Sequence, residues 1–344
     1  MKAVIIHAAK DLRVEEREVR APEAGQVTIA IGAGGICGSD LHYYNHGGFG
    51  TVRVKHPMVL GHEVAGTISA LGTGVDAFAV GDKVAVSPSL PCNGCEYCLK
   101  GMQNHCLDMR FYGSAMLNPH VDGAFRQHLV AEARQCHKLA DTVTLAEGAF
   151  AEPFAVTLHA VSRAGSLLDK RVLITGSGPI GALCAMAARV HGAREIVVTD
   201  VNDAPLAYAR KVGADRTINV ATGPEQLAAL AAGKGTMDVM FEASGSPAAL
   251  ASGLAALRPR STLVQLGLGG DIPLAQNVVV GKEIQIRGSF RFHSEFELAV
   301  SLINQHRVDV RQLLSETLPV DDAARAFELA SDRSKSMKVQ LTFQ

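Results

Sequence analysis

Residues 171–190 read RVLITGSGPIGALCAMAARV, and this stretch decides the fold. Arg171–Thr175 is short, apolar and rich in branched side chains, as expected of a strand buried on both faces. It runs directly into Gly176, Gly178 and Gly181, with Pro179 and Ile180 among them, and residues from Ala182 to Val190 continue as a helix. Glycines at this spacing permit a tight turn, close approach of a pyrophosphate to the backbone, and packing of the helix on the sheet. A lone G-x-G-x-x-G is a weak signal, but a strand before it and a helix after it supply the context of a dinucleotide site. Asp200 closes the next strand, EIVVTD, 19 residues beyond Gly181. There its carboxylate can accept hydrogen bonds from an adenosine ribose. The same charge repels a 2′-phosphate, and no Arg or Lys stands between Asp200 and Arg210, so NAD is expected over NADP.

Outward from this motif, RVLIT, EIVVTD, DVMFEAS and TLVQLGL alternate with Ala/Leu-rich stretches, the βαβ rhythm of a parallel sheet. Ser244 and Gly245 close the third run and Gly267 the fourth; at strand carboxyl ends they read either as lining of the cofactor cleft or as simple turn residues. The rhythm stops after IQIRGSF, near residue 288. Two helical segments, SEFELAVSLINQH and DDAARAFELASD, then precede a final strand, KVQLTF, with Asp321 expected to cap the second helix. Before residue 150 the chain shows short β-type segments (KAVII, QVTIAI, EVAGTISAL, DKVAVS, RQHLVA) divided by Gly, Pro and Asp. The expected architecture is α/β: a parallel-sheet domain over 153–288 inserted into a mainly β domain formed by 1–152 and 289–344.

A chain of 344 residues fits two domains. Its 33 basic and 34 acidic residues give a net charge of −1, which implies no polyanionic partner and no nucleic acid. The 17 uncharged residues from Val172 to Ala188 are broken by Gly176, Gly178, Pro179 and Gly181, so no membrane span is expected there. The first residues, MKAVIIHAAKDLRVEE, do not resemble a cleaved signal peptide, and a cytoplasmic location is expected.

Two cysteine patterns carry metal chemistry. In GGICGSDLHYY, Cys37 lies 25 positions before His62 of the tripeptide Gly61-His62-Glu63. A thiolate, an imidazole and a carboxylate suit zinc, and three protein ligands leave a fourth position for water or substrate. Cys92, Cys95, Cys98 and Cys106 can instead close a tetrahedron, the signature of a structural zinc. Two disulfides are the alternative. A zinc ribbon on nucleic acid is disfavoured because PCNGCEYCLKGMQNHC has one lysine and no arginine. Cys136 and Cys184 read as small core residues. His128, His137, His159 and His191 lack ligand spacing, and His46 and His120 read as cleft rim without chemical duty.

CGSDLH, GHE, the four-cysteine lobe (about residues 88–110), FAEPFAV and GSGPIG with its Asp together resemble the zinc-dependent medium-chain dehydrogenases, in the polyol and threonine dehydrogenase branch. The likeness runs along essentially the whole chain. Longer blocks outside these motifs (CGSDLHYYNHGG, CLDMRFYGSAM, PHVDGAF, GKEIQIRGSFRFHSEF, KVQLTF) narrow it to members acting on a secondary alcohol of a sugar acid. The resemblance implies a GroES-like catalytic domain with an inserted Rossmann domain, NAD, and two Zn²⁺ per subunit, one catalytic and one structural. It implies Cys37 and His62 as catalytic ligands, with Glu63 and Glu152 as carboxylates at the metal, either of which can bind directly. Asp40 would orient the His62 imidazole, and Ser39 with His42 would relay the alcohol proton to solvent. An ionised alcohol is a far better hydride donor than the alcohol, which is why an open metal site and NAD belong to one reaction.

Tyr43, Arg110, Phe111, Arg291 and Phe292 fall in segments that, by resemblance, line the substrate pocket. Arg291 is the first candidate to pair with a substrate carboxylate and Arg110 the second. Neutral polyol dehydrogenases of this branch also carry an Arg at the position of Arg291, so a sorbitol- or xylitol-type substrate is the alternative, as is L-threonine. A non-catalytic NAD-binding protein is the reading from another class, disfavoured by the completeness of the site. A homo-oligomer, tetramer or dimer, is expected from the resemblance.

Overall fold

A computed structural model describes residues 1–343. The chain forms two compact units: one comprises Met1–Glu152, Phe296–Asp332 and the chain from Lys338, the other Pro153–Glu295 and Arg333–Met337.

The second unit holds a six-stranded parallel sheet in the order Arg216–Asn219, Glu195–Asp200, Arg171–Thr175, Met237–Glu242, Leu257–Gln265, Gln285–Gly288. The first strand in sequence is central, pairing Val172 with Ile196 on one side and with Val239 on the other. Strand order reverses there, which places the carboxyl ends of Arg171–Thr175 and Met237–Glu242 at the topological switch point. Val172, Leu173 and Ile174 are wholly buried, as a strand covered on both faces requires. The helix Pro179–Val190 follows, with proline in its first turn and a buried face made mostly of Gly and Ala. Those small side chains let the helix lie close on the sheet. Cys184 is buried in that face, and burial pushes its thiol well above the ordinary range.

The first unit is built on the strand Gln26–Gly35. Its neighbours are Glu63–Leu71, His128–Glu132 and Lys338–Thr342, all antiparallel to it. Gly35 pairs with Glu63 on one side and with Gln340 on the other, and Ile36 donates its N–H to the Val339 carbonyl (3.0 Å). This register brings three distant pieces of chain to one place: the turn at Cys37, the start of the strand at Glu63, and the beginning of the last strand at Lys338.

The helices near the carboxyl end are Glu295–Asn304 and Ala323–Ser331. Asp321 is not the cap of the latter. A 3₁₀ turn over Val320–Asp322 intervenes, Asp322 takes the cap position, and both Asp321 oxygens accept from Lys2 Nζ at 2.7 Å. A capping argument from sequence has no access to that distant lysine. Among the described residues no helix is long and apolar enough to cross a membrane.

Candidate metal and cofactor sites

Cys37 stands at the amino end of the helix Gly38–His46, where Asp40 turns back and accepts the Cys37 N–H (3.0 Å). The other Asp40 oxygen accepts the Gly61 N–H (3.2 Å) and lies 3.8 Å from His62 Nδ1. Wholly buried, Asp40 therefore ties together the two turns that carry the ligands, while its contact with the imidazole is longer than a hydrogen bond. Gly61 has φ +90°, and a Cβ there would run into the Phe125 ring. Glycine is thus required beside His62 both for the backbone and for the space.

The result is a group in which Cys37 Sγ, a ring nitrogen of His62 and a Glu63 oxygen all lie within 4.8 Å of one another. His62 and Glu63 are buried, and His62 Nδ1 and Glu63 Oε1 have no hydrogen-bond partner. Such unpaired atoms cost on the order of 1–3 kcal/mol each unless something satisfies them. Burial pushes the Cys37 thiol up to about 12, the Glu63 charge adding to the effect and Lys338 opposing it. Glu152, also buried, is pushed up to about 8 by burial, with His62 opposing and the Glu63 and Cys37 charges adding. These groups resist ionisation because they are negative, close together and dry. A divalent cation reverses that balance, and a thiolate–imidazole–carboxylate set is zinc chemistry. The residues therefore fit the metal.

Sequence reasoning missed Lys338. Its ammonium is 3 % exposed and pairs with Glu63 Oε2. Burial alone would lower its pKa, but the Glu63 and Cys37 charges outweigh this and raise it. In KVQLTF, Lys338, Gln340 and Thr342 alternate with apolar residues and so read as a solvent face, whereas Lys338 and Gln340 are both buried. Ser39 is half-buried in the first turn of the Cys37 helix; His42 is exposed one turn on, its ring 5.9 Å from that of Phe49.

The four-cysteine lobe contains no disulfide. All seven cysteines are free, and Cys92 Sγ lies 3.4 Å from Cys106 Sγ, against about 2.05 Å for a bonded pair. Backbone N–H groups converge on the sulfurs instead: Cys92 on Cys106 (3.2 Å), Gly94 on Cys92 (3.5 Å), Leu107 on Cys95 (3.5 Å) and Asp108 on Cys106 (3.4 Å). Led by the Leu107 N–H, such donors bring the Cys95 thiol down to about 6, while burial pushes Cys98 up to about 12. Four sulfurs in mutual reach with N–H groups on them suit a closed tetrahedral zinc.

In the second unit, Gly176 turns at φ +87°, where a Cβ would press on Ser244. A Cβ on Gly181 would collide with the Gly176 carbonyl, which explains the third glycine of the motif. Asp200 accepts the Ser177 N–H (2.8 Å) and the Asn202 N–H (3.0 Å), so it holds the glycine turn. A second anchor, missed in the sequence, is the wholly buried Glu242. Its carboxylate accepts from Thr175 Oγ1 (3.3 Å), the Ser244 hydroxyl and N–H, the Gly245 N–H (3.0 Å) and Gln265 Nε2 (2.6 Å). It thereby fixes three strand ends at the switch point, including Ser244 and Gly245, and its carbonyl receives the Gly267 N–H (2.8 Å). A glutamate at the end of the run Val239–Phe241, in a strand buried throughout, was the available signal.

The residues expected to line a substrate pocket divide between the units. In the first, Tyr43 is buried and its hydroxyl accepts the Ala115 N–H (3.1 Å), Phe111 is buried with its ring 5.6 Å from that of His62, and Arg110 is exposed. In the second, Phe292 is buried, and Arg291 has φ +54° with its guanidinium carbon 5.0 Å from the Phe290 ring centre. His120 is structural: Nε2 accepts the Lys55 N–H (2.9 Å), Nδ1 donates to the Leu117 carbonyl (2.9 Å), and its ring stacks on His56. His159 pairs with Glu295 at 2.9 Å.

An open thiolate–imidazole–carboxylate site and a glycine-turn dinucleotide fold in one chain define a zinc-dependent dehydrogenase. Residues 23–141 match the alcohol dehydrogenase GroES-like domain and residues 179–305 the zinc-binding dehydrogenase family. The chain belongs to the zinc-dependent alcohol and polyol dehydrogenases and is an NAD-dependent oxidoreductase. It is 41 % identical to L-idonate 5-dehydrogenase (NAD(P)(+)) of Escherichia coli (strain K12), over 99 % of this chain and 98 % of that one. It is 37 % identical to sorbitol dehydrogenase of Gallus gallus over 98 % and 95 % of the two chains. The crystal structure of the Escherichia coli L-idonate 5-dehydrogenase superposes with a TM-score of 0.95 at 40 % identity, covering 99 % of this chain and 98 % of that one. An alcohol dehydrogenase of Escherichia coli CFT073 solved with NADH superposes at 0.90, with 28 % identity over 100 % and 99 %.

Proposed function

We propose that this dehydrogenase moves a hydride between NAD and a secondary alcohol of a sugar acid, with L-idonate and 5-ketogluconate as the pair. The observation that carries the reaction class is the Cys37–His62–Glu63 group, with His62 and Glu63 buried; full-length likeness to an L-idonate 5-dehydrogenase supports the substrate. Cys37, His62 and either Glu63 or Glu152 would hold a zinc ion, which would supply a Lewis acid favouring loss of the alcohol proton, and NAD would supply the hydride acceptor. Asp40 holds the two ligand turns in register. Lys338 keeps the Glu63 carboxylate neutralised while it is not a ligand. Ser39 and His42, on the solvent side of the same helix, take the alcohol proton outward. Domains 1–152, 153–288 and 289–344 divide this labour between metal and cofactor.

Arg291 supplies the cation for the substrate carboxylate, and Arg110 is the second candidate; Tyr43, Phe111 and Phe292 shape the pocket walls. With L-idonate, sorbitol and L-threonine compared in parallel, activity is expected on L-idonate. Replacing Arg291 by Ala should raise its KM about tenfold or more, the scale of a charge-assisted pair. Sorbitol oxidation without L-idonate oxidation would leave the mechanism and replace the substrate. That second reading is favoured by the likeness to sorbitol dehydrogenases.

Asp200 makes NAD the preferred cofactor. Asp200→Asn removes the charge and keeps one acceptor oxygen, so it retains one of the two bonds from the Ser177 and Asn202 N–H groups. The NAD-to-NADP ratio of kcat/KM should fall about tenfold, one charge-assisted interaction; an unchanged ratio would remove Asp200 from cofactor choice. Two zinc ions per subunit, counted by metal analysis, belong to the same proposal. So does a homotetramer or dimer: Gln285–Gly288 is an edge strand, with Ile286, Phe290 and Val280 exposed around it. Seven free cysteines suit a reducing cytoplasm.

A further inference from the structure

His42 and His46 stand one turn apart at the carboxyl end of the helix Gly38–His46. Tyr43 and Tyr44 between them are buried, while both histidines are exposed, so the two imidazoles share the solvent face of the helix. Their ring centres lie 6.1 Å apart, tilted by 40°. The turn that carries them is closed: Gly47 caps the helix in the left-handed conformation and its N–H is donated to the His42 and Tyr43 carbonyls. Phe49 packs beside it, its ring 5.9 Å from that of His42 and 5.5 Å from that of Tyr43.

Two imidazoles at i and i+4 on one helix face are a pairing that binds zinc. Rings joined to one ion through metal–nitrogen bonds of about 2.0–2.1 Å stand about 5 Å apart, so a closure of about 1 Å suffices, a small rotation for exposed side chains. Among the described residues the His46 ring makes no hydrogen bond or ion pair, so nothing has to be given up there for a metal. No third His, Cys or carboxylate joins the pair among the described residues. Water completes the coordination, and the site is weaker than the three- and four-ligand groups.

We propose that His42 and His46 form a further, inhibitory site for a divalent transition metal. A neutral imidazole has a single lone pair to give. A metal on His42 therefore occupies the nitrogen that would take up a proton, and the path from the alcohol to solvent closes at that point. This loss of turnover rests on the proton path proposed above; the binding does not. An imidazole pair selects Cu²⁺, Ni²⁺ and Zn²⁺, whereas Mg²⁺ and Ca²⁺ take oxygen ligands and should have no effect.

The test is a titration of the zinc-loaded protein, freed of excess metal, with NiCl₂, binding being followed by calorimetry and turnover on the same samples. His46→Asn lies outside the catalytic group and should keep the basal turnover. Its half-inhibiting Ni²⁺ concentration should rise about tenfold or more, since even losing a residue that only orients a metal ligand costs that much. His42→Asn should weaken nickel binding to the same degree, whatever it does to turnover. Nickel binding or inhibition unchanged in His46→Asn would overturn the site, as would MgCl₂ inhibiting like NiCl₂. Zinc released in step with the lost activity would also overturn it, by placing the inhibition at the established metal groups. Binding that depends on His46 but leaves turnover intact would overturn the inhibition and remove His42 from the proton path.

Discussion

Replacing Cys37 by Ser is expected to lower turnover by about a thousandfold or more, the several kcal/mol that a Lewis acid contributes, with NADH binding essentially unchanged. Cys37 provides the only sulfur among the grouped atoms of the open site, and its turn is held by Asp40 independently of the thiol. A serine fits the same space and keeps the backbone bond to Asp40, so the loss falls on metal binding rather than on folding. The glycine turn and Asp200 lie in the other unit and keep their own hydrogen bonds. Metal content and turnover measured on one preparation decide the matter. Normal turnover in a protein that has lost its second zinc would remove Cys37 from the reaction.

The second large effect concerns pH. Glu152 is held at about 8 from an ordinary 4.5, chiefly by burial. In protein stripped of metal, the folded state therefore binds this proton more tightly than the unfolded chain does. Its stabilising contribution is fully present below the ordinary carboxylate range and is lost as pH rises through about 8. Cys37, at about 12, acts in the same direction above pH 9. Zinc reverses the sign, because its ligands must lose protons to bind it and its affinity rises with pH. Melting temperatures between pH 5 and 8.5 should fall for the stripped protein by on the order of 5 °C relative to the zinc-loaded form. Glu152→Gln, neutral at every pH, should flatten that slope. A slope surviving in Glu152→Gln would place its origin in another group.

What was legible in the sequence is the chemistry carried by local spacing. The glycine turn between Arg171–Thr175 and Pro179–Val190 and the four cysteines from Cys92 to Cys106 are short patterns whose geometry follows from the chain itself, whereas Cys37, His62 and Glu63 were legible by ligand type and meet only through the strand pairing at Gly35. Lys338 and Glu242 were not legible for a common reason: their partners come from elsewhere. Lys338 is buried because pairing through Gly35 sets it against Glu63, and Glu242 because three strand ends deliver donors to it. Alternation of polar and apolar residues reports which face a side chain takes, but not what covers that face. The Asp321 cap failed on the same ground, since Lys2 claims the carboxylate.

The pairing of Gly35 with both Glu63 and Gln340 bears on the order in which the molecule is made. During synthesis Cys37, His62 and Glu63 emerge early and close together, so the antiparallel pair that presents them can form while most of the chain is still absent. Their counter-ion arrives with the last strand, after the whole parallel-sheet unit has been produced, and closing so long a loop makes this a late event in folding. Until then Glu63 cannot be buried beside a cation of the protein itself. A nascent chain halted before Lys338 would thus hold a half-built metal site open to water, and the final strand acts as the step that seals it.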